Sequence, residues 1–219
     1  GLDEESIHQV AVGGMLHDIG KTLVSDRILN KPGKLDDAEF GMMKRHVEFS
    51  KQLLMEQSGL SQVAIDIILQ HHERMDGRGY PLGLKGEQIS LIGQMVAIVD
   101  VYDALTSERV YKNAWEPTVT LRKLLEWSPN QFNPELVQRF IKCLGIYPVG
   151  SLVELESGRV GIVMEQGSAM LRPRLLIIYN ARQKAYVRVT ALDLARETAD
   201  QIKSVCSPGE FGIELSNFI

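Results

Sequence analysis

The sequence predicts a mainly α-helical bundle followed by a small antiparallel β module, with the change near residue 147. Two observations predict it. Before that point apolar residues recur at helical spacing, and after Tyr147-Pro148 they gather in short runs separated by turn residues. The 219 residues, 44% of them hydrophobic, suit one generous domain with an appendage, and the expected division is 1–146 and 147–219.

Ile7, Val10, Ala11, Gly14 and Met15 form one stripe of an opening helix. A second helix is expected from about Asp36 to Glu56, with Phe40, Met43, Val47, Ser50 and Leu54 on one face and Asp36 or Asp37 as its N-cap. The third, Ser61 to His72, carries Val63, Ala64, Ile67 and Ile68, and the fourth spans Ser90 to Leu105. Pro117 opens a fifth helix at its first turn. Asn133-Pro134 caps a sixth, which carries Leu136, Val137, Phe140 and Ile141 and ends at Gly145. Residues 20–35, with Gly20, Pro32 and Gly33, read as a loop. Residues 73–89 hold four glycines and a proline, and so long a connection inside a compact domain marks a functional or disordered segment. In the tail, LVELE and RVGIVME flank Ser157-Gly158, and LLIIY and AYVRV flank Asn180 to Lys184, so two hairpins are expected.

Composition narrows the function. No apolar run approaches the ~18 residues of a membrane span, and GLDEESIHQV lacks the basic start and apolar stretch of a secretory signal. Cys143, in a helical pattern, and Cys206, in a turn-rich tail, have no Cys or His at ligand spacing, so both are expected as free thiols in a reducing cytoplasm. A formal charge of −4 gives no global attraction for a nucleic-acid polymer or an anionic membrane surface. Any phosphate-bearing substrate must be caught by a local cluster of cations.

Four of the five histidines, with two aspartates, fall where helices end or faces meet: His17-Asp18, His46 in mid-helix, His71-His72, and Asp100. Each histidine taken singly fits a buried imidazole bonded to a carbonyl. Together they are costly to bury without a compensating charge. A divalent metal supplies that charge, and a mixed His/Asp set suits iron, manganese, nickel or zinc. An aspartate flanked by histidines can bridge two metals through its two oxygens, an arrangement suited to attack on a phosphoester. His8 reads as an ordinary surface histidine.

The residues His17 to Lys21 (HDIGK), His71 to Pro81 (HHERMDGRGYP) and Val99 to Lys112 (VDVYDALTSERVYK), with His46 between them, resemble the HD-GYP family of bacterial cyclic di-GMP phosphodiesterases, a branch of the HD-domain superfamily. The resemblance covers about residues 5–145 and implies an HD-domain-like helical bundle. It implies that His17, Asp18, His46, His71, His72 and Asp100 ligate two or three divalent ions, iron or manganese first, with nickel, zinc or magnesium as alternatives. It also implies that Lys21 contacts the scissile phosphate and that Arg109 and Lys112 hold substrate phosphates. The loop Gly79-Tyr80-Pro81 is implied to lie by the substrate and by partner surfaces. Arg109 suits a bidentate phosphate contact and Lys112 a point charge, although both also fit a solvated helix end. Tyr80 is equally suited to stack on a guanine or to pack its loop. Gly77 and Gly79 read as backbone requirements, and Asp103 as an ordering residue rather than a ligand.

The family pattern includes a further histidine and an acidic ligand upstream of the HD pair. Only sixteen residues precede His17, so those positions are expected to lie off the chain as given, with metal occupancy reduced and apolar surface left open on the first helix. The expected activity is hydrolysis of cyclic di-GMP to pGpG, with GMP as the alternative end product and Asp18 and Lys21 at the reacting phosphate. The rivals are a catalytically silent dinucleotide sensor or partner-binding module, and a hydrolase of another nucleotide. The β tail reads as a packing or homodimer-contact module.

Overall fold

The computed structural model describes residues 2–55, 60–107, 114–167, 169 and 171–218. The chain divides into two compact units, Gly1–Ala114 with Leu124–Val137, and Trp115–Lys123 with Gln138–Ile219. The helices run in the order α1 (Glu4–Leu16), α2 (Asp26–Leu29), α3 (Asp37–Lys44), α4 (His46–Met55), α5 (Gln62–Gln70), α6 (Leu91–Thr106), α7 (Pro117–Trp127) and α8 (Pro134–Leu144). Short 3-10 turns cover Ile19–Leu23 and Gly86–Gln88. The starts are chemically marked: the side chains of Asp3, Ser61 and Ser90 accept from Ser6, Ala64 and Gly93 amides, and Asp36 forms a reciprocal capping box with Glu39. Among the described residues no helix is long and apolar enough to cross a membrane.

One expectation about the helical part is corrected. On α1, Ile7 and Met15 of the apolar stripe are exposed, Met15 to 86%, while Gly13 is the buried residue. A Cβ on Gly13 would lie 2.7 Å from Ile67 Cδ1 and 3.0 Å from Ala64 Cα. The close approach of α1 to α5 is therefore set by a missing side chain, a signal to which apolar periodicity is blind. Next, the helix expected from Asp36 to Glu56 is broken at Arg45, so His46 opens α4 instead of sitting mid-helix. The Arg45 amide turns back to the Met42 carbonyl at 3.2 Å, and the His46 ring takes the Met43 carbonyl at 2.7 Å. The core of this unit gathers Val47 and Leu54 of α4, Ala64, Ile67 and Ile68 of α5, and Ala97 and Ile98 of α6.

The second unit carries a five-stranded antiparallel sheet: β1 (Leu152–Leu155), β2 (Arg159–Glu165), β3 (Arg174–Asn180), β4 (Ala185–Asp193) and β5 (Ile202–Cys206), in the order β4-β3-β2-β1-β5. The two expected hairpins are β1-β2 and β3-β4. β5 escaped the sequence reading because IKSVC is short and half polar; it pairs with β1 and buries Cys206, which is thus a strand residue and not part of an irregular tail. Both thiols are free. The sheet is apolar on both faces. One buries Leu152, Val160, Ile162, Ile178 and Ile213, covered by Phe211 at the end of α9 (Pro208–Phe211), Leu215 and Phe218; the other buries Val153, Leu155, Val163, Leu175 and Leu194. Buried Asp200 ties the β1-β2 turn to the strand that follows it, accepting from the Ser157 amide at 3.1 Å and from Arg159 Nη2 at 2.9 Å.

Gly13→Ala is expected to cost about 1–3 kcal/mol through overpacking against α5, whereas Met15→Ser stays within about 0.5 kcal/mol; urea unfolding of the two variants reads the difference. The Asp200 carboxyl is held below its ordinary value: burial opposes ionisation, but the Ser157 and Arg159 hydrogen bonds outweigh it. Its contribution is complete above the unfolded value of about 3.9 and is lost as pH falls through the lower folded value. The gap in thermal midpoint between the wild type and Asp200→Asn should accordingly narrow as pH is lowered through that range.

Candidate metal centre

The centre is built at helix ends. His17 is the C-cap of α1, His46 opens α4 after the break at Arg45, and His71 is the C-cap of α5. At such ends carbonyls are left without an amide four residues on, and the imidazoles take them. His17 Nδ1 lies 2.6 Å from the Gly14 carbonyl, His46 Nδ1 2.7 Å from Met43, and His71 Nδ1 2.9 Å from Ile68. Because a carbonyl only accepts, each Nδ1 carries a proton, and in the neutral ring each Nε2 presents a lone pair to the interior.

Those lone pairs converge on two carboxylates. His46 Nε2 lies 3.2 Å and His71 Nε2 3.9 Å from Asp18 Oδ1. His17 Nε2 lies 3.3 Å from Asp18 Oδ2 and 3.6 Å from Asp100 Oδ1, and His72 Nδ1 lies 3.8 Å from Asp100 Oδ2. The donors sort into two groups with ligand atoms within 4.8 Å of one another: Asp18, His46, His71 and His72, and then His17, Asp18 and Asp100. Asp18 belongs to both. His17 Nε2, Asp18 Oδ1, His46 Nε2 and His71 Nε2 are buried without a hydrogen-bond partner. Orphaned lone pairs of this kind are expensive unless a cation meets them, so the donor set fits divalent metal.

Burial keeps two of these rings neutral, while the carboxylates favour a proton on a third. Burial, reinforced by neighbouring imidazoles, pushes His71 down to about 4 and His72 down to about 3, which keeps both neutral at pH 7. For His17 burial acts against charge, but the facing Asp100 and Asp18 carboxylates outweigh it and raise the ring to about 10, so that with no ion bound a proton on Nε2 takes the place a cation would fill. Burial likewise opposes ionisation of Asp18, yet the facing His17 and His46 rings and the Lys21 ammonium hold it well below the ordinary carboxylate range. Lys21, one turn past Asp18, forms an ion pair with Asp18 Oδ2.

The six expected ligands are thus brought together, with Lys21 beside them and Tyr80 with its ring centroid 4.6 Å from His72. His8 is exposed, and Asp103 is a solvent-facing residue that accepts from Ser107. Arg109 and Lys112 lie outside the described residues. Gly77 has a φ of +78°, while Gly79 serves close approach: a Cβ there would lie 2.5 Å from Glu73 Cα.

Two organising residues were missed. Ser50, counted only as part of an apolar face, is fully buried; its hydroxyl donates to the His17 carbonyl at 2.9 Å and accepts from the Gly20 amide at 2.8 Å, fixing the HD turn to α4. Glu73, 2% exposed, accepts from the amides of Leu82 (2.7 Å), Gly83 (3.1 Å) and Leu84 (2.9 Å). The segment expected to be functional or disordered is therefore ordered around one carboxylate. A signal was present: a glycine-rich turn exposes amides that need an acceptor, and a carboxylate sits directly after the paired histidines.

A helical domain whose ends gather these histidines around two carboxylates belongs to a class of scaffold with a donor set that could hold divalent metal. A family model described as HD domain matches residues 1–136, and the chain belongs to that family, in its HD-GYP branch. It is 46% identical over 196 residues to a cyclic di-GMP phosphodiesterase of Pseudomonas aeruginosa, covering 89% of this chain and 47% of that protein. It is 43% identical over 143 residues to the cyclic di-GMP phosphodiesterase response regulator RpfG of Xanthomonas campestris, covering 65% and 38%. A 3'3'-cGAMP-specific phosphodiesterase of Vibrio cholerae is 39% identical over 143 residues, covering 65% and 27%. The chain spans less than half the length of each of these relatives. The fold is shared with an HDG"Y"P protein from Bdellovibrio bacteriovorus at a TM-score of 0.54 and 20% identity, over 65% of this chain and 45% of that one.

Glu73→Ala is expected to strip three amides of their acceptor, at about 1–3 kcal/mol for each group left buried. Hydrogen exchange at Leu82, Gly83 and Leu84 should speed up while α5 and α6 keep their protection, with Glu73→Gln falling between.

Proposed function

We propose that the chain carries the catalytic part of a metal-dependent phosphodiesterase that hydrolyses cyclic di-GMP to pGpG and onward to GMP. Residues 1–146 would form the catalytic domain and 147–219 an accessory module, in a reducing cytoplasm that suits two free thiols. The observation that carries the reading is the membership of Asp18 in both ligand groups. One carboxylate with an oxygen toward each group is what a two-metal centre needs. His46, His71 and His72 would hold one ion with Asp18, and His17 and Asp100 the other. Iron or manganese matches the mixed imidazole and carboxylate donors.

Divalent ions bound there supply a nucleophile competent at neutral pH and offset charge on the phosphoryl oxygens. The chain's own groups do the rest. The Nδ1–H bonds fix each ring so that its Nε2 cannot rotate away. Buried His46 and His71 exclude bulk water from the inner side. Lys21 places an ammonium at the edge of the cluster, where it can neutralise a scissile phosphate. Arg109 and Lys112 are assigned the second phosphate on their motif positions. The names of the relatives support a cyclic dinucleotide as substrate, and those specific for 3'3'-cGAMP make the identity of the base the feature that most needs testing.

The protein loaded anaerobically with Fe(II) or Mn(II) should consume cyclic di-GMP and release pGpG, then GMP, on an anion-exchange column. Full metal occupancy with no consumption would sink the assignment. Asp18→Ala should lose metal by elemental analysis and lower turnover more than about 100-fold, the upper end of what outer-shell losses cost.

A further inference from the structure

We propose that Phe40, Lys44 and Tyr80 form a guanine-binding corner at the rim of the centre. The inference deepens, and rests on, the reading of the site as one for a cyclic dinucleotide. Phe40 and Lys44 lie one turn apart on α3, whose start is pinned by the Asp36–Glu39 capping box. The Phe40 ring is 47% exposed although it is a large apolar surface. Its centroid lies 6.4 Å from that of Tyr80, with the planes at 82°, so the two rings make a wall and a floor meeting at a right angle. The Lys44 ammonium sits in the angle, 5.0 Å from the Phe40 centroid and 5.8 Å from that of Tyr80. Among the described residues it has no carboxylate partner.

This corner is continuous with the chemistry. The Tyr80 ring lies 4.6 Å from His72 and 6.4 Å from His46, so a ligand whose phosphate reaches the ions has its base beside Tyr80. An exposed ring next to a site for a phosphodiester is a stacking surface for a base. The cation selects which base. Guanine offers two adjacent acceptors, O6 and N7, whereas adenine puts an amino donor in place of O6. An ammonium has only donors to give, so Lys44 swings from the rings, where it is held by cation–π attraction alone, onto the guanine edge. The stacked base replaces it against Phe40. Lys44 and Phe40 therefore bind and discriminate the base, while Lys21 serves the phosphate.

The test uses the full chain loaded with metal, and the variants Phe40→Ser and Lys44→Met. Phe40 is half exposed and the Lys44 stem is kept, so folding and metal content serve as controls and should match the wild type. Calorimetric Kd and the KM for cyclic di-GMP should each rise about 5- to 100-fold, the scale of one lost base stack. The ratio of KM values for cyclic di-GMP and cyclic di-AMP, which has no guanine to place in the corner, should move toward one in Lys44→Met and survive in Phe40→Ser. Kd and KM within two-fold of the wild type in both variants, with turnover intact, overturn the corner and leave the phosphodiesterase reading standing. Binding without turnover in the wild type, weakened in both variants, upholds the corner and removes the phosphodiesterase. A wild type that neither binds nor hydrolyses a cyclic dinucleotide overturns both.

Discussion

Three imidazoles of the cluster give their Nδ1 proton to a main-chain carbonyl three residues earlier, and such carbonyls are available only where a helix stops. That constraint explains why α1 ends at Leu16, why α3 and α4 are two helices, and why α5 ends at Gln70. Continuous helices would have spent those carbonyls on amides and left the rings free to turn. The termini are therefore part of the site, and the bundle is arranged so that three of them meet.

Bringing these ends together costs free energy that the core has to offset. Two ionised carboxylates and four imidazoles share one pocket, and four of their polar atoms have no partner within the chain. That cost is offset by apolar burial in the same unit, where Val47, Ile67 and Ile98 are sealed from water, and by the Ser50 bridge that locks the HD turn onto α4. Stability is thus spent at the point where chemistry is proposed, as is usual for sites that hold strained or unpaired groups.

Much of this was legible because it was written in side-chain identity. His17, Asp18, His46, His71 and His72 stand at helix ends and Asp100 within α6, while Asp36, Pro117, Asn133-Pro134 and Gly145 marked other helix boundaries. What stayed hidden was written in space. Gly13 decides the packed face of α1 by having no side chain, which a count of apolar residues cannot register. The break at Arg45 depends on an imidazole competing for the Met43 carbonyl, a tertiary choice that overrides helix propensity. β5 exists because β1 offers it an edge, not because IKSVC resembles a strand. The roles of Ser50 and Glu73 required knowing which amides and carbonyls would otherwise go unpaired.

Glu73 follows His72 directly, and its carboxylate grips the backbone at Leu82, Gly83 and Leu84, while the Tyr80 amide reaches the His72 carbonyl at 3.3 Å. Mechanically, the segment from 73 to 84 is a bracket and not a flap. Its outer edge, where Leu82 stands 59% exposed, is thereby tied to the residue that follows an imidazole of the cluster. The outer edge and the cluster thus share one continuous stretch of backbone, held at both ends by the residues His72 and Glu73.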